Sequence, residues 1–178
     1  MTRRVFLGMA AAMALGQSLF AGKNGGSATV ALTDAQKADL LFMYQEEKVA
    51  RDVYIVLGQK YPTAQTFANI QFSEQQHMDA VENMCKKYGV NISGVNETKV
   101  GEFVLPELQS LYDTLVAQGS VSLTEGLKVG VAIEEKDIAD LTEAMEGMPA
   151  DVVKVFTNLR NGSYNHLSAF KNALTSAS

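Results

Sequence analysis

Between Phe67 and Tyr88, apolar side chains recur at Phe67, Ile70, Val81, Met84 and Tyr88, and the two positions that complete this three-four spacing are Glu74 and His77. The period belongs to an α-helix, because residues three and four apart share a helix face. It sets a carboxylate and an imidazole in the middle of a buried stripe, where an unpartnered polar group is costly. A helix of this kind must bury its stripe against other helices and give Glu74 and His77 partners, either a polar network or a metal ion.

The rest of the chain supplies those helices. Thr33 with Gln36 three residues on forms a capping-box pattern, and helix A runs from there to about Gly58 or Lys60. Its interior can be laid through Leu40, Met43, Glu47, Ala50, Tyr54 and Leu57, or through Phe42, Glu46, Val49, Val53 and Val56. The first phase buries Glu47 and the second Glu46. Tyr61-Pro62-Thr63 breaks helix A and opens helix B, so A and B are antiparallel neighbours joined by a few residues. Helix B ends at Lys86-Lys87-Tyr88-Gly89, with basic residues in the last turn and glycine beyond. An irregular connection rich in Gly and Asn follows, then a short helix over 105–118 with Leu108, Leu111, Tyr112 and Leu115 inward and Gly119 as its stop. A second capping box, Ser122 to Glu125, starts helix C, whose seam runs Leu127, Val131, Glu134, Ile138, Leu141, Met145. Asp137 lies at the edge of that face, while Glu135 and Lys136 point to solvent. Helix D begins near Ala150 with the stripe Val152, Phe156, Leu159, Ser163, His166, Phe170, Ala173, kinked or interrupted at Asn161-Gly162.

Each helix thus sets a metal-ligating group at its interior phase: Glu47 on A, Glu74 and His77 on B, Glu134 on C and His166 on D. A lone seam glutamate or core histidine is ordinarily a hydrogen-bonded packing residue. Four helices doing this together fit the bundle plan in which carboxylates from two helices and Glu-x-x-His from two others hold a pair of metal ions. The fold expected is all-α, an antiparallel four-helix bundle with a long B to C crossover carrying the short extra helix.

Upstream, Thr2-Arg3-Arg4-Val5-Phe6-Leu7 and the small apolar run after it resemble a twin-arginine export leader, too short to cross a bilayer as a mature helix. Residues 1–22 are read as that signal, 23–31 as a flexible Gly/Ser-rich lead-in and 32–175 as the bundle domain, which makes the mature protein periplasmic or otherwise exported. Removing Arg3 and Arg4 leaves 13 basic residues against 20 acidic, a formal charge of −7. No basic stripe remains to neutralise phosphates, so nucleic acid is excluded as a partner. The single Cys85 excludes an intramolecular disulfide and reads as a small buried apolar residue.

The pattern Glu47-x-x-Ala50-x-x-x-Tyr54 followed by Glu74-x-x-His77 resembles the first half of rubrerythrin and other ferritin-like di-iron proteins. Residues 46–54, 73–78, 133–138 and 162–167 look more closely like a prokaryotic ferritin-like family designated a domain of unknown function. The resemblance spans roughly Leu32 to Leu174 and selects Glu47 over Glu46. It implies a ferritin-like bundle with iron, two ions, at Glu47, Glu74, His77, Glu134 and His166; manganese or zinc also suits such ligands. This chain departs from the pattern at Ser163, where a second Glu-x-x-His would have its glutamate, and Asp137 is the candidate to replace it. Two functions are compatible with this site: a di-iron oxidoreductase acting on peroxide or oxygen, of peroxidase or ferroxidase type, or a non-catalytic metal-binding or metal-buffering protein of the envelope. No Cys-x-x-Cys pair feeds electrons, so the enzyme would need an external electron donor. A homodimer is a possible assembly, and no transmembrane helix is expected in the mature chain.

Overall fold

The computed structural model describes residues 31–177. The expected export signal and all of the lead-in except Ala31 lie outside the described residues. Five α-helices follow: α1 Asp34–Lys60, α2 Gln65–Tyr88, α3 Pro106–Gly119, α4 Leu123–Ala144 and α5 Ala150–Ser176. The described residues are all-helical, with no strand, and no helix among them is long and apolar enough to cross a membrane.

Local chemistry sets the helix ends. The Thr33 hydroxyl accepts from the Gln36 backbone N–H while the Gln36 side chain accepts from the Thr33 N–H, closing the capping box at α1. The Gln36 amide also donates to the Gly147 carbonyl at 2.7 Å, tying the start of α1 to the turn between α4 and α5. Gly89 ends α2 with φ 67°, a left-handed conformation that glycine adopts without strain.

The helices pack as a closed circuit, α1 on α2, α2 on α5, α5 on α4 and α4 on α1, with α3 laid against α1 and α4. Adjacent members run antiparallel. Cys85 reaches Leu40 while Phe67 sits beside Tyr54 across α1 and α2; Asp151 bonds Lys87 while Phe170 meets Phe67 across α2 and α5. Tyr54, Phe67 and Phe170 pack as tilted rings at one end of the core, with centroids 5.0–6.3 Å apart.

Helix α1 is buried almost all round, which is why two interior phases fit its sequence equally well. One side faces α2 and α4. The other is covered by α3 and by the connection between α2 and α3, which docks through charge: fully buried Lys48 pairs with Asp52 at 2.5 Å and donates to the Lys99 carbonyl. Asp52 also accepts from Arg51 and from the Gly101 N–H, and Arg51 donates to the Glu97 carbonyl. Every charge in this network is paired, as buried charges must be.

Several sequence expectations are corrected. Helix α5 is not interrupted at Asn161-Gly162 but runs unbroken over 27 residues, because its buried stripe continues in phase through Ser163 and His166. Proline does not open α2: Pro62 lies in the turn and the helix begins at Gln65. Gly119 is not a stop but the last residue of α3, buried where a Cβ would come within 2.7 Å of Leu57. The second capping box is half formed, since Ser122 accepts from the Glu125 N–H while the Glu125 carboxylate turns to Lys128. The buried face of α4 carries Gly130, Ile133, Glu134 and Asp137, with Val131 and Ile138 only partly covered. The seam swings this way because Gly130 lets the Phe170 ring approach to where its Cβ would be, 2.5 Å from the ring.

Candidate metal centre

Antiparallel packing brings residues from the middle of four helices to one level. Glu47 comes from α1, Glu74 and His77 from α2, Glu134 from α4 and His166 from α5, and all five are buried. The two histidines are the only ones in the chain. Their ligand atoms form two groups, Glu47 with Glu74 and His77, and Glu74 with Glu134 and His166, each group within 4.8 Å. Glu74 belongs to both. Its Oε2 is 3.0 Å from Nδ1 of His77 and its Oε1 is 2.8 Å from Nδ1 of His166. Nδ1 of His77 is also 3.3 Å from Glu47, and Nδ1 of His166 is 3.5 Å from Glu134. The imidazole rings stack 5.4 Å apart.

Donor chemistry fits a cation better than a closed hydrogen-bond network. Oε1 of Glu74 and Nδ1 of His166 are buried without a hydrogen bond, although they meet as a charge pair at 2.8 Å. Oε1 of Glu47 and Oδ1 of Asp137 are equally unpartnered. Buried polar atoms without partners are rare and call for one. A divalent cation at each group would satisfy such atoms with the oxygen and nitrogen donors that iron, manganese and zinc accept.

Without cations the cluster holds protons instead. Burial opposes charge on His77, but hydrogen bonds and attraction from Glu47 and Glu74 outweigh it and push the ring to about 11. His166 rises to about 9 for the same reason, with Glu134 and Glu74 as its partners. Burial raises Glu47 and Glu134 to about 7 each, despite their histidines. Glu74 goes the other way: burial alone would raise it, but the close approach of the His166 and His77 rings brings it to about 2. Asp137 is held well above the usual carboxylate range, first by burial and then by the charges of Glu47 and Glu46.

Neighbouring residues complete the picture. Asp137 is buried beside the cluster but lies in neither group; its Oδ2 accepts a hydrogen bond from Ser163 at 2.6 Å. Glu46 faces away, toward Lys136 at 3.0 Å. Lys136, exposed as expected, also reaches this buried carboxylate and pairs with Asp140. The Tyr54 hydroxyl donates to Oε1 of Glu134 at 2.6 Å. Neither Ser73 nor Gly162 was assigned a role at the site from the sequence. The Ser73 hydroxyl is 2.8 Å from Nε2 of His166, and a Cβ on Gly162 would lie 2.7 Å from Nε2 of His77. Only their positions, directly before Glu74 and four residues before His166, could have drawn notice.

Residues 36–177 match the family described as uncharacterized protein domain DUF2202. The uncharacterized protein MJ0754 of Methanocaldococcus jannaschii is 41% identical over 140 residues, which span 78% of this chain and 75% of that protein. The crystal structure of the hypothetical protein MJ0754 from Methanococcus jannaschii DSM 2661 has a similar fold, with a TM-score of 0.80 and 38% identity over 86% of this chain and 87% of that one.

Proposed function

This chain belongs to the DUF2202 family of uncharacterized protein domains, and we propose that it is an exported, ferritin-like four-helix-bundle protein holding two metal ions, most readily iron, with oxidoreductase activity on peroxide or oxygen. The observation that carries this reading is Glu74, one carboxylate shared by two groups that each have their own glutamate and their own histidine. Helices α1, α2, α4 and α5 are the bundle on this reading, and α3 belongs to the crossover.

Glu74 would serve both positions, with Glu47 and His77 holding one ion and Glu134 and His166 the other. Bound iron would supply one-electron redox chemistry between its ferrous and ferric states. The chain's own contributions are positional and protonic. The Tyr54 hydroxyl, raised well above its ordinary range by burial and then by the charge of Glu134, keeps its proton one hydrogen bond from a ligand oxygen. Aliphatic and aromatic side chains around the cluster exclude bulk water, so the charge it carries acts at low dielectric. Each group offers three protein donors, so an ion held there would have coordination positions left for a small exogenous molecule. Asp137, with one unpartnered oxygen, is a further buried carboxylate that feels the charges of Glu47 and Glu74.

A second reading is a metal-binding or metal-buffering protein of the envelope. It is favoured by the one buried cysteine, Cys85, which offers no pair to pass electrons and leaves an external donor as a requirement of the enzyme. Metal analysis of protein purified anaerobically from its native host, followed by peroxide addition under a spectrometer, separates the readings. Two irons per chain that oxidise with turnover of peroxide support the enzyme. Two cations that stay unchanged support buffering, and a single tightly held zinc refutes the two-ion site.

A further inference from the structure

The two halves of the centre are not built alike. Behind the His166 half, both terminal ligands are held from outside: Nε2 of His166 meets the Ser73 hydroxyl at 2.8 Å, and Glu134 accepts from Tyr54 at 2.6 Å. Such outer partners fix ring orientation and strengthen metal binding, and their loss typically weakens affinity by about 10–100-fold. Among the described residues, no such hydrogen bond stands behind the His77 half. Oε1 of Glu47 is buried without a partner, and Nε2 of His77 faces the bare Cα of Gly162.

Gly162 has no backbone reason to be glycine. It lies inside an unbroken helix and is not among the positive-φ glycines. Glycine there weakens α5 relative to alanine. What it provides is space: a Cβ would stand 2.7 Å from Nε2 and 3.0 Å from Cε1 of His77. A methyl group there would force the ring to shift, and with it the Nδ1 that meets Glu47 and Glu74.

We infer that the two metal positions have different roles: the His166 half, fastened by Ser73 and Tyr54, keeps a resident cation, and the His77 half, left unsupported and kept open by Gly162, takes up and releases the second. This rests on the reading of the two groups as metal positions. Ser73 and Gly162 act here as positioning residues.

Titration of the purified protein with Co²⁺ tests it, read by isothermal calorimetry and by the shifted imidazole N–H resonances of cobalt-bound protein. Wild type should bind in two steps at least tenfold apart. Gly162→Ala should keep the tighter step, lose the weaker and show one shifted imidazole instead of two, while its metal-free form keeps the wild-type helix content by circular dichroism. His77→Ala, which removes the ring, should give the same single tight step. Ser73→Ala should bind two ions with the tighter step weakened about 10–100-fold. A Gly162→Ala variant that binds two ions with wild-type affinities, or a His77→Ala variant that loses the tight step, would overturn this assignment alone. Wild type that binds no cobalt would overturn the two-position reading as well.

Discussion

Metal binding at this centre should be strongly coupled to protons, and their number follows from the metal-free cluster. At pH 7 His77 and His166, raised to about 11 and about 9, are both protonated, whereas Glu74 at about 2 is fully ionised. Glu47 and Glu134, each near 7, share roughly one proton between them. Ligation needs neutral imidazoles and ionised carboxylates, so filling both positions at pH 7 should expel about three protons. The metal-free state is the one that binds more protons, so affinity is lost as pH falls. From pH 7 to 6 the overall two-ion constant should drop about 10³-fold, or about 4 kcal/mol. The slope should ease toward two protons above pH 8, where both glutamates are already ionised. Calorimetric titration with Mn²⁺ or Co²⁺ in buffers of different ionisation heat counts these protons directly. Release of fewer than one proton at pH 7 would refute the reasoning, because the imidazoles would then be neutral in the metal-free protein or absent from the metal shell.

Stability of the metal-free protein should follow the same protons. Glu46, raised to about 8 by burial, joins Glu47 and Glu134 in binding more protons folded than unfolded from pH 4.5 upward, and the histidines do so from 6.5 to about 9–11. Both effects lower stability as pH rises, so thermal unfolding should show a maximum near pH 5 and a decline toward pH 9; a maximum at pH 8 would contradict the proton assignment. Glu46→Gln should leave metal stoichiometry unchanged, and Glu47→Gln should remove the ion of the His77 half, both read by elemental analysis. Glu74→Ala should lose both ions, since no other carboxylate is shared. Asp52→Ala leaves the Lys48 ammonium buried without its carboxylate and should cost about 3–5 kcal/mol in denaturant unfolding. Gly130→Ala drives a methyl group into the Phe170 ring and should cost about 1–3 kcal/mol in the same assay, with no change in metal content.

Where a helix has one buried face, its sequence reveals that face. The three-four spacing of α2 placed Glu74 and His77 on the interior, and the stripe of α5 placed His166 there. Helix α1 is covered on nearly every side, so periodicity could not choose between Glu46 and Glu47. The choice depends on what lies opposite each, His77 for Glu47 and Lys136 for Glu46, which is tertiary information. On α4 the interior shifted toward Gly130 and Asp137 because small residues admit a large neighbour, and a hydrophobicity pattern gives glycine no weight. Gly162 was misread for a related reason. Glycine inside a helical stripe suggests a break, whereas here it makes room for an imidazole from another helix. Buried Lys48, Arg51 and Asp52 were invisible as core residues because their partners come from the distant connection after α2.

The central claim is that two cations share Glu74. Crystals of protein loaded with iron or manganese, measured at the metal's absorption edge, test it most directly. The expected result is two anomalous peaks per chain, both within ligand distance of the Glu74 carboxylate, one beside His77 and the other beside His166. A single peak, or peaks away from Glu74 with the five residues closed into hydrogen bonds among themselves, would contradict it.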